Sequence, residues 1–252
     1  MDTTALFLLR NQSSSYYMSK SQFSALDEEV AKTREPQYQE CLEAVAARGF
    51  ERLGLRSSHS WYHDPRHLLF RLSRYKFVAK MLAGSEHVLE IGCGDAFGTR
   101  LVQQEVEALS ATDFDEVFIE DVKARMVERW RFKVFAHDLL SGPIPGRYDA
   151  VFALDVLEHI KPAVEHTFLK NAFAPLVSEG AAIIGMPSLE SQAYASPSSK
   201  AGHVNCKTMP DLKSTMQRYF HNVFMFCMND EVVHTGFHPM AHYLFAVCAH
   251  KK

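Results

Sequence analysis

From residue 87 onward, short apolar runs alternate with stretches of helical periodicity. "HVLEIGC", "ALSATD", "FKVFAHD", "YDAVFALD" and "GAAIIGM" read as strands, and helices are expected near 99–107, 116–129 and 163–176. Such alternation means βαβ units, hence a mainly parallel sheet with helices on both faces. After a polar stretch, 188–205, come a helix near 211–219 and two late apolar runs, "NVFMFCM" and "MAHYLFAVCA", which suit an antiparallel hairpin closing the sheet. Ahead of this domain the pattern from Leu26 to Ala83 is helical in three pieces, the last with Leu68, Leu72, Tyr75, Val78 and Leu82 returning every three or four positions. Asp64-Pro65 suits an N-cap followed by proline at the first helical position, so that helix is expected to start near Pro65. The intervening "RSSHSWYHD" reads as a surface connection with Trp61 tucked into the core; its aromatic and imidazole side chains also suit the cover of an acceptor pocket. The expected layout is a flexible leader over 1–25, a helical cap or lid over 26–83 and an α/β domain over 84–252.

Composition narrows the class. A chain of 252 residues that is 47% hydrophobic can bury the core of one large α/β domain, which excludes a small stapled fold. With 27 Lys+Arg against 30 Asp+Glu the formal charge is −3, and no long basic block suggests a binder of the phosphate backbone. Nucleic acid is therefore not an expected partner. The five cysteines, Cys41, Cys93, Cys206, Cys227 and Cys248, are widely spaced and never form C-x-x-C, which fits reduced thiols and a cytoplasmic setting. The start has a five-residue apolar run, Ala5 to Leu9, behind an acid and without a basic region, so it reads as neither signal peptide nor membrane span, and no membrane is expected as a partner. Met18 is a plausible alternative start, in which case residues 1–17 add nothing to function.

Candidate chemistry gathers where the strands end. In an open α/β sheet the ligand sits beyond the carboxyl ends of the strands, where bare turns let backbone approach it. Gly92, Gly94 and Gly98 occupy that place after the first strand, spaced G-x-G-x-x-x-G, and Asp95 lies where a pyrophosphate would be repelled, so a phosphate-free, cationic ligand fits better. Asp113 ends the second strand about twenty residues on, the offset at which a carboxylate accepts both hydroxyls of a ribose. Asp138 ends the third and suits an exocyclic amino group, with Leu139 to pack on a base. Asp155, Leu157, Glu158 and His159 follow the fourth.

Together these stretches resemble class I S-adenosylmethionine-dependent methyltransferases, especially the small-molecule branch, over roughly residues 84–250. The resemblance implies a Rossmann-like seven-stranded sheet, mainly parallel with an antiparallel C-terminal hairpin, and S-adenosyl-L-methionine as cofactor. The family's E/D-x-G-x-G-x-G element corresponds to Glu90, Gly92 and Gly94, with Ala96 in place of the third glycine, a mild departure because alanine is small. By the same resemblance the cofactor is held by Glu90, Gly92, Cys93, Gly94, Asp113, Phe114, Asp138, Leu139 and Asp155, and the stretch from Asp155 to His159 forms the floor between cofactor and acceptor.

Methyl transfer from a sulfonium needs alignment with the nucleophile, and a hydroxyl nucleophile gains further from a base. His159, just past the fourth strand, and His203, in "AGHVNCKTMPDL", are the candidate bases, His203 preferred; the plainer reading is that Thr208 caps the next helix and His203 only ties the loop. D/N-P-P-Y/F is absent after the fourth strand, where the chain has "DVLE", which disfavours methylation of nucleic-acid amino groups, and no Pro-Cys nucleophile is present at that level. His234, His238 and His242 are spaced for a helical metal site, but Gly236 and Pro239 break the helix, so no obligatory metal is expected. The basic run Lys123, Arg125, Arg129, Arg131 and Lys133 reads as a solvated helix face. The expected activity is O-methylation of a small polar metabolite such as a sugar. A non-catalytic methyltransferase-like domain and an N-methyltransferase on a small molecule are the alternatives, and a homodimer stays open. The acceptor-shaping segments, 57–67 and 188–205, carry no recognisable code.

Overall fold

Apolar runs hidden on both faces form the middle of a single eight-stranded sheet. Its strands are β1 (His87–Ile91), β2 (Ala108–Asp113), β3 (Lys133–Ala136), β4 (Tyr148–Leu154), β5 (Leu176–Pro187), β6 (Phe220–Asn229), β7 (Val232–His234) and β8 (Tyr243–Lys251), in the order β3-β2-β1-β4-β5-β8-β6-β7. Neighbours among β1 to β5 run parallel, while β8 is antiparallel to both β5 and β6. The structure, a computed structural model, describes residues 31–252; the leader and most of the first expected helix lie outside the described residues. Contacts divide the chain into two units, Met1–Glu51 and Arg52–Lys252. In the first, helix α1 (Gln39–Arg48) ends at Gly49, whose φ of +76° suits a residue without Cβ and whose N–H returns to the carbonyl of Val45.

The second unit holds the sheet and everything that follows here. Successive residues of the central strands face opposite sides: Val88, Ala150 and Phe152 join one core cluster, and Leu89, Val151 and Ala153 the other. Helices α3 (Pro65–Met81) and α5 (Glu116–Arg125) bury Tyr75, Val78, Ile119 and Val122 on the first side. Helices α6 (Glu165–Phe173) and α8 (Met209–Gln217) bury Phe168, Leu169, Leu212 and Met216 on the second. Among the described residues no helix is long and apolar enough to cross a membrane.

Several expectations are refined. The sheet has eight strands, not seven; the addition is β7, three residues joined to β6 through a tight turn at Asp230, which takes a φ of +51°. The helix expected over 99–107 is the short α4 (Thr99–Gln103), and the one near 116–129 stops at Arg125 before a 3₁₀ turn, Glu128–Trp130. The polar stretch 188–205 contains a 3₁₀ turn, Glu190–Tyr194, and helix α7 (Pro197–Gly202) behind a Ser196 cap. Thr208 caps α8, its hydroxyl accepting the N–H of Asp211 at 3.3 Å. Pro65 does open α3, but the Asp64 carboxylate makes no cap and instead takes Arg66 at 3.3 Å.

The largest correction is at "RSSHSWYHD", which is not a connection but helix α2 (Leu55–His63), with Trp61 59% exposed, not buried. Local sequence argues for a loop because serine and histidine are indifferent helix formers and Gly54 offers no cap. The missing cap comes from elsewhere in the chain: Asp95, itself buried, accepts the backbone N–H of Ser57 and, at 3.1 Å, its hydroxyl. A carboxylate on the first turn also complements the helix dipole. Arg125 completes the fastening by donating to the Asp95 carbonyl at 2.7 Å while paired with Asp121 at 2.8 Å. Asp95→Ala should therefore cost about 2 kcal/mol of stability and expose the first-turn amides of α2 to hydrogen exchange first. Unchanged protection at Ser57 and Ser58 in that variant would show that α2 does not depend on the cap.

Candidate active site

The turn after β1 leaves little choice of residue. Gly92 has a φ of +75° and a Cβ there would lie 2.3 Å from Cγ2 of Val156, so both backbone and space require glycine. Gly94, at φ +53°, would meet nothing within 4 Å, so its open side is where backbone can approach a ligand. Ala96 also takes a positive φ, +50°, with its methyl buried. The departure from the third glycine is thus not neutral: it holds a left-handed residue at a cost of roughly 1–2 kcal/mol.

Around this turn the carboxylates divide into those already satisfied and those held ready. Glu90 is buried at the end of β1 and accepts from the Tyr75 hydroxyl at 2.7 Å and the Thr99 hydroxyl at 2.6 Å. It therefore ties α3 and α4 to the sheet. Burial raises its carboxyl to about 7, against the two hydrogen bonds and with help from the Asp113 charge. Asp113 ends β2 with one carboxylate oxygen on the Gly94 N–H at 2.8 Å and the other on the Asp115 N–H at 3.0 Å, linking the two strand-end turns. Beside it Phe114 is 78% exposed. Asp138 is exposed after β3 and caps its own turn through the Leu140 N–H at 2.8 Å, whereas Leu139 is buried in the core with Phe168 and Leu169. Cys93 is buried with Sγ 3.6 Å from the Gly94 carbonyl, and burial, then Glu90, pushes its thiol far above the ordinary value.

Asp155 follows β4 in a left-handed conformation, φ +58°. Its carboxylate receives Nη1 of Arg74 at 2.8 and 2.9 Å, and the guanidinium lies 4.0 Å over the Tyr243 ring. Burial would raise this carboxyl, but the charges of Arg74 and Arg56 outweigh it and hold it below the usual range. The 3₁₀ turn Leu157–His159 comes next, where Glu158 is buried and neither carboxylate oxygen has a hydrogen-bond partner. Burial, then the Asp155 charge, raises Glu158 to about 8.

The fold brings His159 and His203 together across 44 positions of sequence, with ring centroids 5.1 Å apart. The bridge is backbone: the N–H groups of Val204 and Asn205 both donate to the Glu158 carbonyl, at 2.8 and 3.0 Å. His159 Nδ1 lies 2.9 Å from the Gly202 carbonyl, which can only accept, so Nδ1 carries the proton. His203 Nδ1 lies 2.9 Å from Gln192 Oε1, and the amide of Gln192 is oriented by donating to the Ser188 carbonyl at 3.2 Å. Both rings therefore present a bare Nε2. Burial, then neighbouring His159, lowers the His203 value.

Three arginines escaped the sequence reading. Arg56, Arg71 and Arg74 come from α2 and α3; Arg56 and Arg71 line the cleft formed with Tyr75, Gly92, Gly98 and Asp155. Their signal was present, since Arg71 and Arg74 sit at helical spacing from Leu68, Tyr75 and Val78, inside the apolar stripe. The basic run 123–133 is largely paired locally, Lys123 with Glu120 and Arg131 with Glu128, while Arg125 is buried against Asp121. His234 bonds Asn229 at 2.7 Å, and His234, His238 and His242 do not converge on one point.

Residues 88–180 match the family described as methyltransferase domain. Over 135 residues the chain is 27% identical to a probable S-adenosylmethionine-dependent methyltransferase of Mycolicibacterium smegmatis, a match covering 53% of this chain and 48% of that protein. The matched stretch thus spans about half the length of that relative. The fold is shared with the N-methyltransferase NodS of Bradyrhizobium japonicum, solved with S-adenosyl-L-homocysteine (TM-score 0.56, 17% identity, 71% of this chain and 85% of that one). It is also shared with the methyltransferase domain of bacterial CtHen1-C (TM-score 0.60, 17% identity, 71% and 98%). A third is a TehB-like methyltransferase from Corynebacterium glutamicum (TM-score 0.54, 19% identity, 86% and 97%). The fold is that of the class I S-adenosylmethionine-dependent methyltransferases, and residues 88–180 carry the match to a methyltransferase domain.

The raised carboxyl of Glu90 makes stability depend on pH. Between its ordinary value of 4.5 and about 7 the folded state binds the proton and the unfolded state does not, so stability falls as pH rises through that window and stays low above it. Glu90→Gln keeps an acceptor for Tyr75 and a partner for Thr99 without the charge. Its stability relative to the parent should rise by on the order of a few kcal/mol between pH 5 and pH 8. Urea unfolding at both values checks this, and parallel pH profiles for the two proteins would refute it.

Proposed function

We propose that this domain transfers a methyl group from S-adenosylmethionine to a hydroxyl of a small polar acceptor, with His203 and His159 on the acceptor side. The observation that carries the reading is the row of groups at the carboxyl ends of β1, β2 and β4: the open face of Gly94, the Asp113 carboxylate joined to it, and Asp155 at the cleft floor.

These residues suit the cofactor. Asp113 keeps spare lone pairs for a ribose diol, exposed Phe114 offers a face to the adenine, and Asp138 retains an oxygen for an amino group. Arg56 and Arg71 in the cleft suit the methionyl carboxylate. The cofactor supplies an electrophilic methyl: its carbon bonds to the acceptor oxygen as the carbon–sulfur bond breaks, and the electron pair returns to the positive sulfur.

The chain's own work is to bind, to orient and to handle the acceptor's proton. Gly92 and Gly94 let backbone approach, and α2 and α3 flank the cleft and help exclude water. Neutral Nε2 of His203 or of His159 takes the hydroxyl proton, both imidazoles being fixed in the tautomer that leaves this atom bare.

Asp113→Ala should weaken S-adenosylhomocysteine binding by at least tenfold in calorimetry, through loss of charged hydrogen bonds to the ribose. His203→Ala and His159→Ala should keep that affinity and lose roughly 10²–10⁴ in kcat on a hydroxyl acceptor. Full affinity in Asp113→Ala removes the ribose assignment. Near-native turnover in both histidine variants makes the acceptor an amine or thiol.

A further inference from the structure

Glu158 is the anomaly of the site. Its side chain is 1% exposed, both oxygens lack hydrogen-bond partners, and no lysine or arginine pairs with it among the described residues. Arg74 next door is taken up by Asp155 at 2.8 Å, so no cation is bonded to the Glu158 carboxyl. A buried carboxyl without partners is costly in either protonation state, since the neutral acid would still leave an O–H unmet.

What faces it are nitrogens with lone pairs. One ligand atom each from Glu158, His159 and His203 lie within 4.8 Å of one another, and Nε2 of His159 is 4.0 Å from the Glu158 carboxylate. Each imidazole donates its other N–H to an oxygen, Gly202 O and Gln192 Oε1, at 2.9 Å. That is the outer arrangement which fixes histidine as a metal ligand. From this geometry we infer a site for a first-row divalent cation, held by the Glu158 carboxylate and Nε2 of His159 and His203. Two imidazoles and one carboxylate suit Mn²⁺, Fe²⁺, Co²⁺ or Zn²⁺ better than Mg²⁺ or Ca²⁺, which prefer oxygen alone.

This deepens the methyl-transfer reading and rests on it for its purpose. Three protein ligands leave positions open for the acceptor's oxygen, and an ion there acidifies a bound hydroxyl, whose proton passes to solvent. The base role given to the two histidines above is that of the metal-free chain; with the ion bound they act on the same hydroxyl as its ligands. The earlier expectation of no metal weighed only His234, His238 and His242; the cluster built by the fold is a different one, assembled from 158–159 and 203.

The test uses the full chain, stripped with chelator and titrated with Co²⁺ alone, read by calorimetry and by the visible d–d bands that report nitrogen ligation. One ion per chain is expected. Glu158→Gln and His203→Ala should each weaken Co²⁺ at least tenfold, and Gln192→Ala, which touches no ion, should weaken it 10- to 100-fold by freeing the His203 ring. S-adenosylhomocysteine affinity in these variants should match the parent, which also shows that they fold. No saturable Co²⁺ binding by the parent, or binding unchanged in both His203→Ala and Glu158→Gln, overturns the site. Failure of the parent to bind S-adenosylhomocysteine would instead overturn the methyltransferase reading and leave the Co²⁺ result to stand alone.

Discussion

Four buried carboxylates near the ends of strands each find a partner from elsewhere in the chain, and meeting them organises the working edge of the domain. Glu90, Asp95, Asp113 and Asp155 all lie where water is largely excluded. Each is answered from a different part of the chain: hydroxyls of Tyr75 and Thr99, the first turn of α2, the amides of two strand-end turns, and the guanidinium of Arg74. The answers are what hold the helices in place. Removing any one leaves a buried polar group unmet, which costs more than the hydrogen bond itself contributes.

The same logic explains why α2 and α3 belong with the sheet. Helix α3 is joined to it twice, through Tyr75 to Glu90 and through Arg74 to Asp155, over an apolar face that includes Val78 and Ala79. Helix α2 has little apolar content of its own, with Ser57 its only buried residue, and depends on Asp95 and Arg125. The two differ in how they would open. Loss of the cap frees α2 by a local transition, whereas α3 can leave only by exposing its hydrophobic face and an ion pair together.

The sheet was legible in the sequence because its central strands are written as continuous apolar runs, and β4 is buried along nearly its whole length. The grouping of glycines and acids at the strand ends was legible because they fall just past successive runs, so position along the chain nearly fixes position in space. What stayed hidden was non-local. Asp95 reads as a ligand-facing acid, yet it caps a helix 38 residues earlier. Leu139 reads as a base-packing side chain, yet it turns into the core. The serine- and histidine-rich 55–63 reads as loop because its cap is supplied from outside the segment. The pairing of His159 with His203 depends on Val204 and Asn205 meeting one carbonyl, which no spacing rule encodes.

The segment 188–205 shows how an irregular stretch can still be held in fixed geometry. Ser188 is fully buried, its hydroxyl donating to the Ala241 carbonyl at 2.6 Å and accepting the Ser191 N–H at 3.1 Å. Just beyond the segment's end, Lys207 pairs with Glu165 at 2.7 Å, and the same carboxylate takes the Asn205 amide at 2.6 Å. Anchored at both ends, the stretch delivers Gln192 and Gly202 to the imidazoles and so fixes which nitrogen each one offers. Its exposed members, such as Tyr194, carry none of these bonds to the sheet. The turns around Gly92 and Asp113 are thus locked to the core by buried carboxylates, while the imidazoles of His159 and His203 are set by a few side chains on an anchored stretch.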